Sequence, residues 1–181
     1  MKVIIIGVPG VGKTSVANGM ATAGWKLVVF GDLMLAEAKR KFGVADRDEM
    51  RSRINVTGYK RLQMAAARRI ALMRGKVLVD THGTILKEGW YYPGLPMKQL
   101  LAMKVDGLVV IEADEKDIKA RRDRDKGKRK REGDILQHQQ TNKEFAAAYA
   151  ALAGIPVIYV ANHEGKLAET IEAVKKACEH L

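Results

Sequence analysis

Cysteine is almost missing from this 181-residue chain, which has one, Cys178. A single thiol excludes an internal disulfide and any cysteine-rich zinc site. It is also what a reducing compartment would leave. Aromatic residues make up only 6% of the chain, so the core must be built from aliphatic side chains and alanine. With 47% of residues hydrophobic there is enough apolar material to exclude disorder. No apolar run approaches the roughly 18 residues of a membrane span. Residues 3–6 are too short for the apolar part of an export signal, and the glycine motif that starts at Gly7 must stay attached. A soluble, cytoplasmic protein without a membrane partner is therefore expected. Internal repeats and long linkers are also missing, and the length fits one domain with a genuine core.

Charge, by contrast, is abundant and one-sided, with a net of +11. Residues 119–132 carry nine Lys or Arg and three Asp or Glu, a local net of +6. A nucleic-acid binder tends to spread its basic footprint over a face or groove. One dense block beside a nucleotide motif reads instead as a phosphate clamp, with the remaining surplus as solvated surface charge. On this reading no nucleic-acid partner is expected.

Five short apolar runs, at 3–6, 27–30, 77–79, 108–111 and 157–160, do not alternate with polar residues. Such runs suit strands covered on both faces, as in a parallel sheet. Between them lie helical stripes: Leu62, Ala66, Ile70 and Met73, and later Leu167, Ile171, Val174 and Cys178. Alternating strands and helices predict βαβ units and a three-layer α/β fold. Two stretches break the alternation, residues 31–60 and about 119–133, and both are expected to lie outside the sheet as mobile excursions near its carboxyl edge.

The strongest motif is Gly7-Val8-Pro9-Gly10-Val11-Gly12-Lys13-Thr14, a complete P-loop set between a strand and a helix, with Ser15 next in the helix. Its glycines let backbone amides turn around phosphate groups, aided by the positive end of the helix dipole. Lys13 is expected to reach the outer phosphates of ATP and Thr14 to ligate Mg²⁺. Asp80 ends the third apolar run, where a carboxylate would hold the same ion. Arg47 and Arg51, four apart, share one face of a short helix and suit a doubly charged phosphate, unless Asp46, Asp48 or Glu49 claims them. Arg121, Arg122 and Arg131 stand in the basic block, where a closing cover would surround the migrating group with cations and exclude water. For His82, His138 and Asn142 the pattern leaves structural and cleft-facing roles equally open.

The chain resembles the archaeal-type adenylate kinases in GVPGVGKT at 7–14, FGDLM at 30–34, DRDEMR at 46–51, DTHGT at 80–84, YPGLP at 92–96, the Arg121-Arg122 pair and the HQ…N pattern at 138–142. That resemblance implies a P-loop nucleoside monophosphate kinase fold with a five-stranded parallel sheet and helices on both faces. It implies the reaction ATP + AMP = 2 ADP with Mg²⁺, an AMP site in 31–60 using Asp32, Arg47 and Arg51, catalytic roles for Lys13, Arg121, Arg122 and Arg131, and a homotrimer. The chain departs from the family in its lysine-rich lid, with Arg129-Lys130-Arg131-Glu132, and in Asn142-Lys143 where Asn-Arg is usual. The bacterial branch has a phosphate-binding arginine after the third strand, and here that stretch is Asp80-Thr81-His82, which shifts the acceptor phosphate toward Arg47 and Arg51. Two other readings stay open: a kinase for another acceptor, and an adenylate-kinase-like ATPase of RNA or ribosome assembly. A conspicuous basic face away from the cleft would favour the latter.

Overall fold

The computed structural model describes residues 1–124 and 133–181. The first half of the chain runs through β1 (Lys2–Ile6), α1 (Lys13–Thr22), β2 (Lys26–Val29), α2 (Phe30–Phe42), α3 (Arg47–Arg53), α4 (Val56–Ala71) and β3 (Val77–Asp80). The second half runs through β4 (Thr84–Lys87), β5 (Trp90–Pro93), α5 (Met97–Met103), β6 (Gly107–Glu112), α6 (Glu115–Arg124), α7 (Ile135–Ala153), β7 (Val157–Ala161) and α8 (Leu167–Glu179). The five apolar runs form one parallel sheet in the order β2-β3-β1-β6-β7. Ile5 of β1 lies level with Asp80 on one side and Val109 on the other, so Asp80 ends its strand beside the start of the glycine loop.

Strand alternation divides the core into two layers. Ile4, Ile6, Val79, Leu108 and Val110 face α2, α4, α5 and α7. Val3, Ile5, Leu78, Val109 and Ile111 face Val16, Ala17 and Met20 of α1 and Val174 and Cys178 of α8. α4 shows why its sequence makes a helix. Asn55 caps its first turn by accepting from the Gly58 amide at 2.8 Å. Leu62, Ala66 and Ile70 then bury one stripe, and each large side chain so buried stabilises by about 1.5–3 kcal/mol.

Three features differ from expectation. Phe30 opens α2 instead of closing a strand, because its ring is buried beneath that helix. β7 is an edge strand, with Ile158 and Tyr159 about 40% exposed, so its apolar run is not covered on both sides. Residues 84–93 form an antiparallel hairpin that no apolar run announced. Its turn is Glu88-Gly89, both at positive φ (52° and 80°), the conformation that two-residue hairpin loops demand. Residues 31–60 cover nearly all of α2, the whole of α3 and the first turn of α4.

Candidate active site

Residues 7–12 connect β1 to α1, and Gly10 and Gly12 take φ of 100° and 89°, which side chains with a Cβ rarely adopt. Val8 and Val11 are buried and anchor the loop from beneath. α1 begins at Lys13 with no side-chain cap, so its first-turn amides remain available to an anion. Lys13 forms an ion pair with Asp80 Oδ1, and both side chains are 12% exposed. Burial pulls the Lys13 ammonium down to about 8. The carboxylate in contact opposes that shift, and a phosphate would oppose it further. Thr14 and Ser15 are exposed in the same turn.

Arg121 and Arg122 are on α6 and both reach the glycine loop, but through its carbonyls. Arg121 donates from Nη1 to Val11 O at 2.9 Å, from Nη2 to Asn162 O at 3.0 Å and from Nε to Glu164 at 2.9 Å. Arg122 donates from Nε and Nη2 to Pro9 O at 2.9 and 2.8 Å. Asn162, directly after β7, adds a second donor to Val11 O at 2.7 Å. Carbonyl and following N–H point opposite ways across a trans peptide. Holding Pro9 O and Val11 O therefore aims the Gly10 and Gly12 amides away from the arginines. Glu164 is held below the usual carboxylate range by Arg124 and then Arg121. Arg131 lies outside the described residues, as do the other basic residues of 125–132.

A cavity of about 460 Å³ opens beside the loop, lined by Gly12, Ser15, Arg121, Arg124, Asn162 and His163 among others. Sequence reasoning missed Asn162, a polar residue two positions past the last apolar run, at the same carboxyl edge of the sheet as Asp80.

The turn after Asp80 is clamped to α7. Gly83 O accepts from the Tyr149 hydroxyl at 2.8 Å and from the Gly94 amide at 2.8 Å. The Thr84 hydroxyl donates to Asn142 Oδ1 at 3.2 Å, which leaves it to accept from His138 Nε2 at 3.1 Å. Tyr91 packs on the His138 ring at 5.3 Å. Burial, then the charge of Arg122, lowers the His138 pKa. His138 and Asn142 are thus buried, partnered residues that fix the turn carrying Asp80. On the other flank, Arg47 binds Asp32 at 2.6 Å across from α2, whereas Arg51 turns to Asp48 at 3.1 Å along its own helix. Asp46 caps that helix through the Asp48 and Glu49 amides.

Comparison with known proteins places this geometry. The AAA domain family matches residues 6–140. The adenylate kinase of Pyrobaculum aerophilum is 41% identical over 171 residues, covering 92% of this chain and 86% of that one. The adenylate kinase of Methanopyrus kandleri is 39% identical, covering 93% of each chain. The one from Methanothermobacter thermautotrophicus is 37% identical over 99% of this chain and the whole of that one. Among solved structures, shikimate kinase from Bacteroides thetaiotaomicron superposes with a TM-score of 0.61 at 13% identity, covering 99% of this chain and 98% of that one, a likeness of fold alone. The sheet order, the glycine loop and these neighbours define a P-loop phosphotransferase. Within that class the chain belongs to the adenylate kinase family, as a nucleoside monophosphate kinase.

Proposed function

We propose that the chain transfers the terminal phosphoryl group of ATP to AMP, with the donor phosphates held by the glycine loop, Lys13 and α1, and the acceptor held by α2 and α3. One observation carries this assignment: Lys13, at the uncapped start of α1, is paired with Asp80 at the end of the neighbouring strand. Two charged groups buried together at the carboxyl edge of a parallel sheet are matched to a ligand of alternating charge. The cavity beside Gly12, Arg121 and Asn162 lies where the donor's nucleoside would extend from the loop. Residues 31–60 and about 119–133 act as the acceptor-binding excursion and the lid. The protein works in the cytoplasm, and the trimeric state implied by the family extends to it.

The residues fit Mg²⁺ by donor chemistry, since Thr14 offers an exposed hydroxyl and Asp80 a carboxylate, both hard oxygens. Bound there, the ion would neutralise charge on the bridging phosphate oxygens. Asp80 positions Lys13 before nucleotide binds, and Thr14 presents its hydroxyl from the first helical turn. Thr14→Ala and Asp80→Asn are expected to raise the Mg²⁺ concentration for half-maximal rate. A metal titration unchanged in both variants would reduce these residues to structural parts.

Arg47 is the acceptor-side cation best placed to be held ready, because its partner Asp32 comes from another helix. In a coupled assay of ADP formation, AMP is expected to outperform UMP, CMP and GMP. Arg47→Ala should raise the KM for AMP by about tenfold or more and leave that for ATP little changed, since a charge-assisted hydrogen bond contributes about 1.5–3 kcal/mol. Equal effects on both substrates would place Arg47 outside the acceptor site, and a faster rate with another monophosphate would overturn the AMP assignment.

A further inference from the structure

Much of the surplus positive charge outside the 119–132 block falls in stretches of the chain that carry no acid. From residue 50 to residue 79 the chain has no Asp or Glu, and from 89 to 105 it again has none. These stretches include the whole of α4 and α5, which pack side by side in the same layer. On α4 and the turn after it, Lys60, Arg61, Arg68, Arg69, Arg74 and Lys76 are all exposed. None of the six has a carboxylate partner among the described residues. Lys98 of α5 is likewise exposed and unpaired among them.

The contrast with the rest of the surface makes this informative. Arg40 and Lys41 share Glu37, Arg53 pairs with Glu49, Lys119 with Glu115, Lys166 with Glu169 and Lys175 with Glu172, all one turn apart. Dressing a helical cation with an acid at three or four residues is this chain's habit, and α4 alone among its long basic helices forgoes it. Arg61 and Arg68 fall on the arc opposite the buried stripe of Leu62, Ala66 and Ile70, and Lys60 and Arg69 flank it at the two edges of the exposed side. From Lys60 to Arg69 they run along ten residues, or about 14 Å at 1.5 Å per residue.

We infer that the α4–α5 face is an electrostatic docking surface for a nucleic-acid duplex, bound through its phosphate backbone. Two copies cannot meet through this same face, because like charges would oppose each other. A membrane would be met by charge alone, because the apolar side of α4 is spent in the core. The exposed apolar side chains of the two helices are Val56, Leu72 and Leu101, none aromatic, so the face offers no platform for stacking single-stranded bases. A helix that carries arginines on its exposed side instead suits a row of phosphates and reads no sequence. Of these residues only Lys60 falls within the 31–60 excursion, and the surface goes beyond the kinase reaction.

The test is fluorescence anisotropy of a labelled 20-base-pair RNA duplex, with a DNA duplex and phosphatidylserine vesicles as parallel arms. It compares the wild type with the triple variant Arg61→Gln, Arg68→Gln, Arg69→Gln, both checked by circular dichroism and melting. The wild type should bind duplex with a steep salt dependence. The variant should lose at least about tenfold in affinity at low salt, with a log–log slope smaller by about 2–3, since each neutralised phosphate contributes roughly 0.9. Its kcat and both KM values should stay within about twofold of wild type. The triple Arg→Lys variant should keep the slope. Binding displaced by a dinucleoside pentaphosphate that fills the cleft would overturn the inference, as would an unchanged slope in the Gln variant. So would binding to vesicles with none to either duplex.

Discussion

Lys13→Ala is expected to lower kcat by about a thousandfold or more, the effect of removing a preorganised cation from the migrating phosphoryl group. It is also expected to melt earlier than the wild type. In the structure Lys13 is not a free side chain awaiting phosphate but the partner of a buried carboxylate. Truncating it strands Asp80, and an unsatisfied buried group costs about 1–3 kcal/mol, more when charged. The two effects separate in the double variant Lys13→Ala, Asp80→Asn. Removing the stranded charge should return most of the lost melting temperature while leaving turnover near that of Lys13→Ala. Turnover within tenfold of wild type in the single variant would remove Lys13 from the chemistry. A double variant as unstable as the single would show that the pair does not account for the loss.

The parallel sheet was legible because each strand carries a continuous apolar run, and in β1, β3 and β6 burial on both faces leaves no room for alternation. The glycine loop was legible because only glycine tolerates the φ that Gly10 and Gly12 adopt. What escaped was determined by partners distant in sequence. His138 and Asn142 are one turn apart and could equally have faced a cleft. Thr84, 54 and 58 residues away, decides that they fasten the turn after Asp80. The hairpin escaped because four-residue strands carry too short a pattern, and its Glu-Gly turn needs an unusual φ at Glu88. Asn162 escaped because a lone amide after a strand carries no motif. Arg51 stood as an acceptor-phosphate residue, and in the structure it takes the intrahelical partner Asp48 that its neighbours offered.

Arg121 and Arg122 were expected to close over ATP, and the structure gives them a different task that predicts a different outcome. A lid arginine acts mainly in the transition state, so its loss lowers kcat with little change in KM. These two instead hold the Pro9 and Val11 carbonyls, and so the orientation of the Gly10 and Gly12 amides. On the proposed function those amides would meet the donor phosphates in ground state and transition state alike. Arg121→Ala should therefore raise the KM for ATP as well as lower kcat, by about tenfold or more each. It should also destabilise the protein by about 1–3 kcal/mol, because the Arg121 side chain is only 17% exposed and Val11 O would keep Asn162 alone. Arg121→Lys should fail to rescue, since one ammonium cannot replace a fork that reaches Val11 O, Asn162 O and Glu164 together. Arg122→Ala should move KM for ATP in the same direction with a smaller change in melting, its hydrogen bonds to Pro9 O being more exposed. Steady-state kinetics in ATP at saturating AMP, with melting curves on the same preparations, decide between the roles. A fall in kcat alone, with KM and melting unchanged in both variants, would return the pair to the lid.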